Sequence, residues 1–235
     1  ERANPGREIW NYTRSGFSGT TEQKGSAWGE IANFPGDNSA DWSQASGLRS
    51  AAVDMLSRGV GGQYGYSTDI GGYLGDTPRE LFVRWVQWAA LSPYFRLHNS
   101  SSNGTRQPWY YDEGETVQIW NRYARLHQRA RPLIMDLFRE AQDTGIPVAR
   151  PLWLQFPGDP EAARQEQQWM LGPDVLVAPV VVEGATQRKV YFPDGCWRNP
   201  ETGLKSTARG LRDVPAAIDQ LPYFFRCGTD PFDRS

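Results

Sequence analysis

Four short polar clusters close apolar or alternating stretches in the first hundred positions. Glu8-Ile9-Trp10-Asn11-Tyr12-Thr13 alternates among β-formers and predicts a strand ending at Arg14. Trp28 to Phe34 predicts a second short strand, stopped by Pro35-Gly36 ahead of Asp37-Asn38. Val60 to Asp69 is a third candidate despite its glycines, and Ser92 to His98 a fourth. Between them the period lengthens to that of a helix. Leu48, Ala51, Ala52, Met55 and Leu56 recur at helical spacing, with Asp41 or Ser43 as cap and Gly59 as stop. Asp76 or Thr77, Pro78 and Glu80 open a second helix that buries Leu81, Phe82, Trp85, Trp88 and Ala89. A third helix spans 116–142 on the stripe Ile119, Tyr123, Leu126, Ala130, Leu133, Ile134 and Leu137, with Pro132 expected to kink or interrupt it.

After Gly145 the rhythm changes to strands. Val148–Phe156, Val175–Val182, Lys189–Phe192 and Tyr223–Arg226 read as strands, divided by turns such as Asp194-Gly195. Alternating strand and helix followed by strands alone predicts an α/β chain of two units. Residues 1–146 form repeated βα units, as in half of a (β/α)8 TIM barrel, and residues 147–235 a small all-β domain.

Composition narrows the function classes. The net charge of −2 includes no basic stripe, so no nucleic-acid partner is expected. No apolar run approaches the roughly 18 residues of a membrane span, so no membrane partner is expected either. Two histidines and no Cys/His cluster argue against a metal site, and no cofactor motif is present. Cys196 and Cys227 leave two alternatives open, one disulfide or two thiols.

The candidate chemistry lies in the four clusters. Asp37 follows a β-like run and a Pro-Gly break, although Gly-Asp-Asn is also an ordinary turn. Asp69 precedes Gly71-Gly72, where the backbone turns sharply or approaches a ligand; a capping aspartate is the plainer reading. Arg96 and His98, two apart, project to one face of a strand and suit hydroxyls or an anion. Arg14 is a further candidate, or else a salt-bridge partner. Taken together, polar residues at successive strand ends fit one mouth of a barrel better than four independent turns.

Arg14-Ser15-Gly16, Phe34-Pro35-Gly36-Asp37-Asn38, Asp69-Ile70-Gly71-Gly72-Tyr73, Glu80 to Trp85, Phe95-Arg96-Leu97-His98 and Pro108-Trp109, in this order, resemble glycoside hydrolase family 31. Leu171 to Val180 is similar to the opening of that family's β-sandwich, so the resemblance implies a β-sandwich after the barrel. It implies a retaining α-glycosidase acting on terminal α-glucosidic or related bonds, with an α-linked oligosaccharide or glucoside as substrate. Asp37 takes the place of the general acid/base, which must begin the reaction protonated. Arg14, Asp69 and His98 would hold the sugar, and Phe34 and Tyr73 complete the expected substrate-binding set.

Two departures accompany the resemblance. Phe34 stands where the family has Trp, and Pro35 precedes Gly36. The family's nucleophilic Asp, in a Trp-rich segment on an earlier strand, has no counterpart here. A retaining mechanism requires that carboxylate. The expectation is therefore a chain inactive alone that partners the missing N-terminal half of the barrel. The alternatives are a non-catalytic carbohydrate-binding protein and an inactive fragment.

Overall fold

The computed structural model of the chain describes residues 12–13, 32–34, 36–98, 106–112 and 114–233. β1 (Tyr12–Thr13) and β2 (Ala32–Asn33) pair in parallel, Tyr12 opposite Ala32 and Thr13 opposite Asn33. The third and fourth strand candidates do not form regular ladders. Residues 63–69 carry a single β-bridge position at Tyr66 and residues 93–98 none, and the two segments are tied by Ile70 N–H donating to the Arg96 carbonyl at 3.0 Å. Gly61, Gly62 and Gly65 lower strand propensity along the first of these segments.

The helices follow the hydrophobic pattern closely, their caps less so. α1 (Leu48–Val60) begins after a turn that consumes both expected caps. Asp41 Oδ1 accepts from Ser43 N–H at 2.8 Å, and Ser43 Oγ accepts from Gly47 N–H at 3.1 Å. In α2 (Arg79–Ala90) the cap position is Pro78, because the Thr77 hydroxyl is bonded elsewhere. Every α2 residue from Leu81 to Ala90 is buried, so this helix is covered on all sides. α3 (Glu115–Thr144) carries its whole predicted stripe into the core and runs through Pro132 without a break. Pro132 and Gln128, the residue whose carbonyl loses its helical partner, both lie on the exposed face, so that carbonyl is not stranded in the core. Gly145 closes α3 in the left-handed conformation (φ 78°) and donates to the Ala141 carbonyl at 2.9 Å.

The C-terminal unit is built on antiparallel pairing. β3 (Ala149–Pro151) leads into a single helical turn, α4 (Leu152–Gln155), where the sequence suggested one continuous strand. Then come β4 (Trp169–Leu171), β5 (Val175–Val177), β6 (Gln187–Phe192), β7 (Trp197–Arg198), β8 (Lys205–Ser206), β9 (Gly210–Pro215) and β10 (Tyr223–Arg226). One sheet has the order β3-β4-β5-β10-β7-β8, and β6 pairs with β9 beside it. The register sets Met170, Leu176 and Phe224 side by side across three strands. Their neighbours Trp169, Leu171, Val175, Val177, Tyr223 and Phe225 point the other way.

This alternation divides the core in two. The Trp169–Phe225 set joins the cluster formed by α1, α2 and α3. Met170, Leu176 and Phe224 join Val190, Phe192 and Val214 of the β6–β9 pair, with Trp197. The large sheet is thus apolar on both faces, one against the helices and one against the second sheet, as in a sandwich.

Arg84, on α2, fastens the two units together. Its fully buried guanidinium donates to the carbonyls of Ala185 (3.0 Å), Ala216 (2.8 Å), Ala217 (3.1 Å) and Gln220 (3.2 Å), and to Gln87 Oε1 (3.1 Å). Gln87 donates in turn to the Ile218 carbonyl at 2.7 Å, and Trp169 Nε1 to the Leu91 carbonyl at 3.1 Å. Cys196 and Cys227 form a disulfide across β7 and β10, beside a 2.8 Å backbone bond from Cys227 N–H to the Cys196 carbonyl.

Candidate active site

The segment after β2 carries Asp37. Gly36 adopts φ +134°, a conformation that L side chains rarely take. On the other side Asn38 pins the segment. Its carbonyl accepts from Tyr73 N–H (2.7 Å) and Leu74 N–H (3.0 Å), and its side-chain amide donates to the Ser46 carbonyl (3.0 Å). Asp37, partly exposed, is therefore held between a glycine bend and a hydrogen-bonded link to the next cluster.

That next cluster, Asp69 to Leu74, turns on two left-handed glycines, Gly71 (φ 87°) and Gly72 (φ 76°). The Thr77 hydroxyl donates to the Gly71 carbonyl at 2.7 Å and fixes the turn to the start of α2. Trp85 Nε1, from the middle of α2, donates to Thr68 Oγ1 at 2.8 Å. A buried arginine, Arg106, donates to the carbonyls of Tyr73 (2.8 Å) and Gly75.

These supports converge on one constellation. Asp69 is fully buried, and its Oδ1 is ion-paired with Arg96. Its Oδ2 faces His98 Nδ1 at 3.6 Å. The Arg96 guanidinium lies over the Phe34 ring, 4.3 Å from its centroid. The His98 and Tyr73 rings stack at 5.0 Å and 9°. The His98 side chain is 44% exposed, which leaves it open to a ligand where Asp69 is not. Burial raises the Asp69 pKa, Arg96 and His98 oppose the rise, and the charge of Asp37 adds to it.

Of the expected site residues, Phe34, Asp37, Asp69, Tyr73 and His98 come together here, whereas Arg14 lies outside the described residues. Sequence reasoning missed Arg106, Thr68, Thr77 and Asn38. Arg106 stands in a polar Ser/Asn/Gly stretch, and nothing in its neighbours signals burial. Asn38 carried a signal, the adjacency to Asp37, but was read only as part of a turn. Among the described residues no group of three or more His, Cys, Asp or Glu is arranged to hold a metal ion.

Comparison with known proteins bears on this arrangement directly. The family model for the glycosyl hydrolases family 31 TIM-barrel domain matches residues 1–137, and that for the family 31 C-terminal domain matches residues 145–229. The chain belongs to glycosyl hydrolase family 31. Its fold is accordingly part of the family 31 TIM barrel followed by the family's C-terminal β domain. Alpha-glucosidase 2 of Bacillus thermoamyloliquefaciens is 31% identical over 224 residues, covering 95% of this chain and 27% of the relative. Among solved structures, a family 31 alpha-xylosidase from a soil metagenome, complexed with xylose, aligns with TM-score 0.76 and 32% identity over 85% of this chain and 32% of its own. A Flavobacterium johnsoniae family 31 dextranase complexed with glucose aligns with TM-score 0.76 and 31% identity over 84% and 25%. The chain thus spans roughly a quarter to a third of the proteins it matches.

Proposed function

We propose that this chain carries the acid/base and sugar-holding side of a retaining α-glycosidase that cleaves terminal α-glucosidic or related α-glycosidic bonds. Asp37 is the general acid/base. In the first step its proton passes to the glycosidic oxygen as that oxygen leaves the anomeric carbon, and a carboxylate nucleophile takes its place. In the second step Asp37 removes a proton from water, whose oxygen displaces the nucleophile and releases the sugar. His98, Tyr73 and Phe34 line the sugar position, with Asp69 and Arg96 beside them, and Arg14 completes the substrate-binding set. The nucleophile comes from the preceding half of the barrel, consistent with the fraction of its relatives that the chain spans. Residues 1–146 carry the site and residues 147–235 brace it.

One observation supports this reading above the others. A partly exposed carboxyl on a glycine bend neighbours a buried Asp–Arg pair, an exposed imidazole and a stacked tyrosine. That arrangement offers a proton donor beside hydrogen-bonding and stacking groups suited to a sugar ring. The test is to complement this chain with a polypeptide bearing the first half of the barrel and follow p-nitrophenyl α-glucoside, with the α-xyloside in parallel. Asp37→Asn is expected to lower kcat/KM by roughly 10²–10⁴-fold. Turnover unchanged by that substitution would remove Asp37 from the acid/base role. Saccharide binding without turnover would favour a non-catalytic carbohydrate-binding protein.

A further inference from the structure

Two buried polar atoms of the constellation lack a hydrogen-bond partner among the described residues, Asp69 Oδ2 and His98 Nδ1. They face each other across 3.6 Å. Buried polar atoms rarely go unsatisfied; the gap is just beyond hydrogen-bond distance, and a slight approach of the two side chains lets these atoms satisfy each other in one arrangement of protons. A carboxylate oxygen only accepts, so Nδ1 must carry the hydrogen. Free imidazole favours the opposite tautomer, so the protein has to impose this one. Asp69 is built to do so. Its other oxygen is committed to Arg96, it has no exposed surface, and it therefore acts on a ligand only through its neighbours.

The rest of the cluster fixes the ring plane. Tyr73 stacks on His98 nearly parallel, and the Tyr73 carbonyl is held by buried Arg106 at 2.8 Å. Arg96, over the Phe34 ring, keeps the Asp69 carboxylate from rotating. We propose that Asp69 is a positioning residue, which holds neutral His98 with its hydrogen on Nδ1 and so presents Nε2 as a hydrogen-bond acceptor. The group that this Nε2 recognises is a donor, and under the glycosidase reading, on which this assignment rests, it is a sugar hydroxyl. A deoxy or fluoro sugar at that position has no hydrogen to give.

The two histidines, His98 and His127, make the test direct. The chain labelled with ¹⁵N-histidine is examined by long-range ¹H–¹⁵N correlation near pH 8. His127 Nδ1 lies 3.2 Å from the Ala90 carbonyl and so serves as an internal standard for a hydrogen on Nδ1. His98→Gln assigns the signals. Wild-type His98 is expected to show protonated Nδ1 and lone-pair Nε2, and Asp69→Ala to lose that signature while His127 keeps its own. A wild-type His98 with its hydrogen on Nε2 overturns the proposal, as does a signature unchanged in Asp69→Ala. If Asp69→Ala does not fold, the wild-type spectrum decides alone. The glycosidase reading is judged separately, by turnover of the complemented protein, so the two ideas fail independently.

Discussion

Single residues set the geometry of the candidate site through backbone constraint and burial. Gly72 is the clearest case. It has φ +76°, and a Cβ there would lie 2.7 Å from the Ser39 carbonyl oxygen and 2.8 Å from Ala40 Cα. Both neighbours are backbone, so neither has a side chain to move aside. Gly72→Ala is expected to cost roughly 2–4 kcal/mol, from the left-handed strain and the contact together, read as a lower urea midpoint. If Tyr73 lines the sugar position as proposed, the same substitution should also weaken saccharide binding, because Tyr73 follows directly. Asp37 and His98 were legible as candidates from residue type and place. The burial of Asp69 was not, since its ion-pair partner Arg96 lies 27 residues further along the chain.

Among the elements, the long helix α3 shows how local chemistry and packing divide the work. Its stripe was readable from spacing, because one side of a helix must be apolar to pack. Its start fell within one residue of the expected Thr116, but the group that fixes it was not legible. Asp112 lies ahead of the helix and accepts from Thr116 N–H (3.0 Å), Gly114 N–H (2.9 Å), Arg79 Nε (2.7 Å) and the Thr116 hydroxyl. Those hydrogen bonds, the Thr116 hydroxyl first, hold the Asp112 carboxyl well below the usual carboxylate range. A depressed carboxylate stabilises the fold above its unfolded pKa, near 3.8, and loses that contribution as pH falls through the folded value. Melting temperature is therefore expected to fall on acidification below about pH 4, and to fall less steeply in Asp112→Asn. Equal slopes for the two proteins would deny Asp112 this role.

For the whole molecule, stability depends on the junction of the two units. Arg84 supplies donors to four carbonyls of the C-terminal unit. Replacing it by Met keeps bulk but strands the buried Ala216 carbonyl and takes the donor from three more exposed ones. We expect Arg84→Met to cost roughly 3–5 kcal/mol, with Arg84→Lys recovering little, since one ammonium cannot serve a forked set of acceptors. Calorimetry checks the first, and protease release of the two units near residue 146 checks the second. The Cys196–Cys227 disulfide closes a sequence separation of 31 residues. A loop of that size contributes about 3–4 kcal/mol by chain entropy. Reductant should lower the melting temperature of the wild type and leave Cys227→Ser unmoved. A wild-type midpoint indifferent to reductant would show that the bond contributes nothing.

Sequence by itself determined the parts whose signal is local. Helical spacing located α1, α2 and α3, the loss of that spacing after Gly145 announced a strand-built unit, and the ordered polar clusters singled out Asp37, Asp69 and His98. Each of these depends on residues within a turn or two of one another. Tertiary structure alone decided which partner each polar group found. Thr77 left its helix to bind Gly71, Arg106 left a polar loop to hold Tyr73 and Gly75, and Arg84 became an interdomain fastener. The reason is that a buried donor must find an acceptor wherever the chain brings one, and its distance along the sequence plays no part in that choice. The pairing of Asp69 with Arg96, 27 residues away, is of this kind.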